Sequence, residues 1–142
     1  MKITQKTIDI IRSSVVNLPA ETGGILVSQN GVLISDVIMD TPNNDGYRCC
    51  YAPNVKYFNE CISDWQKQNK SFFGIFHTHF YNVKTLSNED IKYINAIMSA
   101  MPKEINRLFF PIYILPRNEM ICYEATREGN NISIKNDILE II

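Results

Sequence analysis

The chain lacks the sequence features that mark several large classes of protein. Its 142 residues contain no apolar run of transmembrane length, and the segment 1–18 is interrupted by Asp9 and Arg12, which makes it too polar for a signal-peptide core. Lysine and arginine are scattered and the formal net charge is −1, so neither a basic stripe nor an acidic tail is present. These absences predict a cytoplasmic protein that acts on neither membranes nor nucleic acids.

Cysteine is present, but not in a pattern that binds metal or cross-links the chain. The cysteines are Cys49, Cys50, Cys61 and Cys122, and no two of them form a C-x-x-C pair. Cys49 and Cys50 are adjacent, which is an unfavourable geometry for a mutual disulfide. We therefore expect free thiols, buried or half-buried, in a reducing compartment.

The length and the apolar spacing predict one domain, residues 1–142, with three helices. The first helix is predicted over Thr4–Leu18, with Thr4 as its N-cap and Pro19 as its end. The second is predicted over Pro53–Asn69, with Pro53 in the first turn. The third follows Ser87, a natural N-cap, and runs to residue 101.

Alternating or continuously apolar stretches predict six strands. Residues 22–39 form two of them, joined by a two-residue hairpin turn at Asn30-Gly31. Residues 40–50 form a loop by composition. The remaining strands are predicted over 71–77, 107–115, 120–126 and 131–136. The order α-β-β-α-β-α-β-β-β is an α+β fold, with helices packed against a largely antiparallel sheet.

Histidine is scarce, and both copies lie in the segment GIFHTHFYNVKTLSNED. His77 and His79 stand at the end of a predicted central strand, where residues i and i+2 point to the same side. Asp90 falls in the first turn of the next helix, after a loop long enough to bring it back. Two neutral imidazoles and one carboxylate form a three-ligand set, which leaves a fourth position for water as in catalytic zinc sites.

Each part of this set also has a simpler explanation. A histidine at a strand end is usually structural or exposed. Ser87 and Asp90 resemble a helix capping box with Asp in place of Glu. A two-His-one-carboxylate set also binds iron in oxygenases. The combination of H-x-H, Ser and Asp at fixed intervals favours a metal site and leaves the metal open.

Glu21, in the segment PAETGGIL, is the candidate general acid and base. It stands at the junction of the first helix and the first strand, where a lone glutamate would otherwise be a solvated surface residue. Gly23 and Gly24 beside it permit a close backbone approach. A carboxylate within hydrogen-bond reach of a metal-bound water can take its proton and later deliver it to a leaving amine.

Together, PAETGGIL and HTHFYNVKTLSNED resemble the JAMM signature of MPN-domain (JAB-type) zinc metalloproteases. That signature is a glutamate, a distant H-x-H, seven residues, Ser, two residues and Asp, and every position is matched. The resemblance implies an MPN-type, cytidine-deaminase-like fold. It also implies Zn²⁺ bound by His77, His79 and Asp90, Glu21 as general acid and base, and Ser87 as the stabiliser of the oxyanion.

The resemblance further implies a peptidase or isopeptidase that cleaves the amide bond after the C-terminal tail of a ubiquitin-like or sulfur-carrier protein. Its partners would be that protein or its conjugate, with E1-like and E2-like enzymes of the same pathway. The chain has Phe80 where the family often has proline, which leaves the loop geometry open, and it has no room for the large loops with which eukaryotic members grip ubiquitin. The alternatives are a non-catalytic MPN scaffold and a different metal-dependent hydrolase or oxygenase with the same ligands.

Overall fold

The computed structural model describes residues 1–15, 21–41 and 51–142. The described helices are α1 (Gln5–Ser14), α2 (Val55–Trp65) and α3 (Asn88–Ala100), and a 3₁₀ turn (Gln66–Gln68) follows α2. The described strands are β1 (Lys2–Ile3), β2 (Gly23–Ser28), β3 (Leu33–Met39), β4 (Ser71–His79), β5 (Arg107–Phe109), β6 (Ile112–Ile114), β7 (Glu119–Glu128), β8 (Asn131–Asp137) and β9 (Glu140–Ile141). None of the helices in these ranges is long and apolar enough to cross a membrane.

All the described strands join one mixed sheet in the order β5-β7-β6-β4-β2-β3-β1-β9, and β8 pairs with β7. Strand β4 is central: it is antiparallel to β2 and parallel to the colinear strands β5 and β6. The pairings of β2 with β3, and of β7 with β5, β6 and β8, are antiparallel. The predicted α+β class with a largely antiparallel sheet is confirmed.

Apolar side chains fill both faces of this sheet because neighbouring residues of a strand point to opposite sides. In β4, Phe76 belongs to one buried cluster together with Ile8 and Ile11 of α1. Its neighbour Ile75 belongs to the other cluster, which contains residues of α2 and α3, among them Ile94. Helix α1 therefore covers one face, and α2 and α3 cover the other.

The helix predictions are right in number and partly wrong in extent. Helix α1 is capped by Thr4 as expected, but it ends at Ser14, because Val15 is already extended; Pro19, its predicted end, lies outside the described residues. Helix α2 begins at Val55 rather than at Pro53, since the side chain of Asn54 accepts the N–H of Tyr57 as an N-cap does. Helix α3 begins after its predicted N-cap, Ser87, and ends at Ala100, one residue before the predicted end, because Met101 is already extended.

The hairpin between β2 and β3 is present, but the predicted two-residue turn is wrong. Ser28 pairs with Ile34, which leaves a longer loop, and Gly31 has a positive φ of 70° whereas Asn30 is not among the positive-φ residues. The side chain of Asn30 instead accepts two backbone N–H groups of the loop. This local side-chain hydrogen bonding competes with the tighter turn.

The predicted strand 107–115 is interrupted. Pro111 has no N–H to donate to the sheet, and the chain divides there into β5 and β6. Strands β1 and β9 were not predicted, because two residues are too few for a periodic signal. Of the predicted free thiols, Cys61 and Cys122 are free; Cys49, Cys50 and most of the predicted loop 40–50 lie outside the described residues.

Gly74 lets β4 pass the end of β5. Its φ is +144°, and a Cβ at this position would lie 1.7 Å from the carbonyl oxygen of Phe109. The register between β2 and β4 shifts at the same point, next to Leu26, as at a β-bulge. The second half of β4, which carries both histidines, thus depends on a residue without a side chain.

We expect Gly74→Ala to destabilise the fold by about 3 kcal/mol or more, because the added methyl group meets backbone atoms and the φ value is strained. Gly129→Ala is the matched control: Gly129 also has a positive φ, of 63°, but nothing lies within 4 Å of its added Cβ. The control should lose only about 1 kcal/mol. Denaturant unfolding measures both, and equal losses would contradict the close approach at Gly74.

Candidate metal centre

The C-terminal end of β4 places two imidazoles on the face of the sheet that α2 and α3 cover. His77 and His79 lie on the same side of the strand as Ile75, which faces the α2–α3 side of the sheet. They are 0% and 4% exposed, and their Nε2 atoms lie 2.9 Å apart. Burial of two adjacent imidazoles with converging nitrogens is typical of a ligand site, because unpaired polar groups are costly in an apolar interior.

Asp90 reaches the same point from the first turn of α3. Its Oδ1 lies 3.2 Å from Nε2 of His77, and its Oδ2 lies 3.3 Å from Nε2 of His79. The backbone N–H of Ser87 donates to Oδ2 at 2.7 Å, and the N–H of Asp90 donates to Ser87 Oγ at 3.1 Å. The predicted capping box with Asp in place of Glu is therefore present, and it fixes the rotamer of the carboxylate.

The three groups fit a metal ion. His77, His79 and Asp90 are all buried, and each offers a ligand atom within 4.8 Å of the others. Ligands bound at about 2.0–2.1 Å with tetrahedral angles lie about 3.3 Å from one another. The two Nε2 atoms here lie 2.9 Å apart, and each lies 3.2 or 3.3 Å from a different oxygen of Asp90, which is the range of separations that a bound ion requires.

Hydrogen bonds on the far side of each ring orient its Nε2 toward this point. The Nδ1 of His79 lies 3.2 Å from the carbonyl oxygen of Val83, which can only accept, so Nδ1 carries the proton and the neutral ring has a lone pair on Nε2. The Nδ1 of His77 lies 3.0 Å from the hydroxyl oxygen of Tyr93. Outer contacts of this kind orient the histidines that bind metals.

The charges suit a cation as well. Burial would raise the pKa of Asp90, but hydrogen bonds with His77 and His79 and from the Ser87 N–H hold it well below its usual range. Burial lowers the pKa of His77, which favours its neutral, ligating form. Burial also acts to lower the pKa of His79, but its hydrogen bond with Asp90 and the charges of Glu21 and Asp90 outweigh this and raise it. A cation must therefore compete with a proton at His79.

Glu21 lies near His79, just before β2. Gly23 pairs with His77 in the β2–β4 ladder, and Thr78 donates its N–H to the carbonyl oxygen of Thr22 at 2.7 Å, so the segment that carries Glu21 runs beside the histidine end of β4. The charges of Glu21 and His79 act on each other's pKa. The structure thus brings this candidate close to the histidines.

One oxygen of the Glu21 carboxylate is held in place. Oε2 accepts the backbone N–H of Tyr51 at 2.6 Å. Burial raises the pKa of Glu21 above its ordinary value, although the charge of His79 and this N–H oppose the rise. A raised pKa makes a carboxylate a better acceptor for a proton near neutral pH.

The hydroxyl of Ser87 can accept one hydrogen bond and donate another. Its Oγ accepts the N–H of Asp90, which accounts for the residue as a helix cap. An accepting hydroxyl still has its own O–H to donate, and Ser87 lies next to the ligand set. The capping explanation and the oxyanion explanation of this serine are therefore compatible, and its catalytic role stays a prediction.

The sequence patterns did not identify the residues that surround the ligands. Tyr93 contacts His77 and lies three residues after Asp90, so helical spacing was a signal that could have found it. Val83 acts through its backbone carbonyl, and Tyr51 acts partly through its backbone N–H. Backbone contacts do not depend on residue type, and the sequence therefore carries no signal for them.

No protein-family profile matches the sequence, and no curated protein is detectably similar. The fold, however, is similar to solved structures. Protein DSY2949 from Desulfitobacterium hafniense matches with a TM-score of 0.69 and 17% identity over 99% of this chain and 93% of that one. AF2198, a JAB1/MPN domain protein from Archaeoglobus fulgidus, matches with a TM-score of 0.57 and 19% identity over 100% and 99%. The chain thus has an MPN-like fold with a His-His-Asp site that can hold a metal ion.

The loop after His79 is a tight turn with two left-handed residues. Tyr81 and Asn82 have φ values of 56° and 58°, and Val83 donates its N–H to the carbonyl oxygen of Phe80 at 3.1 Å. Two positive φ values inside a four-residue turn are typical of type I′. The turn aims the Val83 carbonyl at His79. Tyr81 is 88% exposed, so little packing offsets its strained backbone.

We expect one divalent metal ion per chain, with binding lost in His77→Ala and Asp90→Ala. Tyr93→Phe should weaken it about 10- to 100-fold, the usual effect of removing a contact to a ligating histidine. Affinity should also fall as the pH is lowered, because a proton then occupies His79. Chelator competition with elemental analysis measures these values. Glu89→Gln, which changes the neighbouring exposed carboxylate, is the control, and unchanged metal content in the ligand variants would exclude this site.

Tyr81→Asn should stabilise the protein by about 1 kcal/mol, because asparagine adopts the left-handed region more readily than tyrosine. Chemical denaturation would show the gain as a higher midpoint at constant slope. Val32→Asn, at a position that is 59% exposed, tests whether loss of an exposed apolar group alone has this effect. A loss of stability in Tyr81→Asn would mean that contacts of the ring outweigh the backbone strain.

Proposed function

We propose that the protein is a zinc-dependent amide hydrolase of the JAMM type. The observation that carries the proposal is the buried His77–His79–Asp90 set with the Glu21 carboxylate near it, in an MPN-like fold. Two imidazoles and one carboxylate are a ligand set of catalytic zinc, and they leave a position for water. A non-catalytic scaffold has no need of a buried carboxylate and two buried histidines that converge on one point.

Zinc bound by these residues would act as a Lewis acid, lowering the pKa of a coordinated water to about 7 and polarising the scissile carbonyl. Glu21 accepts the proton of the attacking water and returns it to the leaving amine. The hydrogen bond from Tyr51 holds Oε2 and leaves Oε1 outside it, and the raised pKa of Glu21 suits both proton transfers.

Ser87 stabilises the negative charge that develops on the carbonyl oxygen. Its Oγ is fixed by the N–H of Asp90, which orients the hydroxyl without using its proton. Loss of one donor to an oxyanion costs about 3 kcal/mol in other hydrolases. Asp90 and Ser87 thus fix each other, and each has a separate task in the reaction.

The substrate that we propose is a peptide or isopeptide bond after the C-terminal tail of a ubiquitin-like or sulfur-carrier protein. The edge of β3 away from β2 supports an extended tail, because its pairing with β1 in the described chain covers only Leu33 and Ile34. The remainder of β3 runs toward Gly24, beside the strand position that faces His77. An open edge can bind an extended peptide by main-chain hydrogen bonds. E1-like and E2-like enzymes would supply the conjugate.

The test is cleavage of a ubiquitin-like protein that ends in Gly-Gly and carries a C-terminal extension. Purified protein loaded with zinc should release the extension, and a chelator should stop the release. Glu21→Gln is the matched variant: it should keep its zinc and its fold while turnover falls about 10²- to 10⁴-fold, the usual share of a general base.

Three outcomes would overturn the proposal. Stoichiometric iron in the purified protein would favour an oxygenase with the same ligands. Cleavage that resists the chelator would point to another enzyme in the preparation. Equal cleavage of casein would remove the proposed specificity and leave a general peptidase.

A further inference from the structure

Tyr51 contacts both halves of the metal centre. Its backbone N–H donates to Oε2 of Glu21 at 2.6 Å. Its ring stacks on the imidazole of His77, with centroids 5.6 Å apart and planes at 6°. Tyr51 itself neither transfers a proton nor ligates the metal in the proposed reaction. Through these two contacts Tyr51 links the position of the general base, Glu21, to the position of a metal ligand, His77.

The position of the Tyr51 ring depends on the absence of a side chain at Gly23. Gly23 pairs with His77 across β2 and β4, and a Cβ on Gly23 would come within 2.6 Å of Cζ of Tyr51. The ring therefore lies over the glycine and against the histidine opposite, and Tyr93 packs edge-on with its centroid 6.4 Å away. Tyr51 is 7% exposed, so its ring is enclosed.

The phenol end of Tyr51 is tied to the sheet. Its hydroxyl donates to Oδ2 of Asp40 at 2.7 Å, and the same oxygen accepts the N–H of Asn54 at 3.0 Å. Asp40 directly follows β3 and donates its own N–H to the carbonyl oxygen of Gly23 at 2.8 Å. The far end of the ring is thus fixed to the strand whose glycine the ring covers.

We propose that Tyr51 is a positioning residue for the hydrolysis, anchored by Asp40, and that it sets the location of the Glu21 carboxylate relative to the ligands. This inference rests on the proposed function. A ring fixed at the phenol by Asp40 and along its face by His77 leaves the Tyr51 backbone little freedom. The N–H then holds Oε2 of Glu21 in one place, and Oε1 meets the attacking water. A charged acceptor makes this a strong hydrogen bond.

The kinetic test separates positioning from binding. Tyr51→Phe keeps the ring and removes the bond to Asp40, and kcat should fall about tenfold while KM, metal content and the far-ultraviolet spectrum stay unchanged. Asp40→Ala, which removes the acceptor of the Tyr51 hydroxyl, should lower kcat at least as much, and the double variant should be no worse than Asp40→Ala, because both changes remove the same contact. Tyr123→Phe is the matched control: it removes a tyrosine hydroxyl bonded to the carbonyl oxygen of Lys84 and should leave kcat unchanged.

A second measurement does not depend on activity. In the metal-free protein labelled with ¹⁵N, the Tyr51 amide proton should resonate far downfield, because it donates to a carboxylate. Glu21→Gln should move it upfield, and Tyr51→Phe should move it in the same direction by less. A Tyr51 amide shift that does not change in Glu21→Gln would overturn the proposal, and so would additive losses of kcat in Tyr51→Phe and Asp40→Ala. An inactive wild type with the expected amide shifts would instead refute the proposed function and leave the Tyr51–Glu21 link in place.

Discussion

Two backbone N–H groups determine where the charges of the metal centre lie. Ser87 donates to Oδ2 of Asp90, and Tyr51 donates to Oε2 of Glu21. A carboxylate removed from water loses several kcal/mol of hydration unless donors replace it. Each of these carboxylates receives one such donor on one oxygen and has its second oxygen outside that bond. The protein thus holds both groups in place and leaves each an oxygen for an ion or a water.

These donors can take their positions because two residues of the sheet are glycines. Gly74 allows β4 to pass β5, so the strand continues to His79. Gly23 leaves room for the ring of Tyr51, whose N–H serves Glu21. An alanine at either position would bring a Cβ to within 2.6 Å or less of neighbouring atoms. The space left by these two glycines is therefore as necessary to the site as its polar groups.

What the sequence could predict was the part of the site set by side-chain type and short-range spacing. The i, i+2 rule placed His77 and His79 together, and the capping signal at Ser87 placed Asp90 in the first turn of α3. The parts that were missed depend on long-range contacts: the approach of Glu21 to His79, and the stacking of Tyr51 on His77. No local pattern encodes such contacts, because the residues involved are distant in the chain.

The turn after Phe80 shows how the backbone orients one imidazole of the site. His79 needs an acceptor at Nδ1, and the carbonyl oxygen of Val83 supplies it only if the chain reverses within four residues. The left-handed Tyr81 and Asn82 make this reversal, at a strain of about 1–2 kcal/mol for a tyrosine. Phe80 packs against the core on the α1 side of the sheet and anchors the start of the turn. The partial burial of Phe80 thus offsets strain at its exposed neighbour, and the orientation of one imidazole depends on that balance.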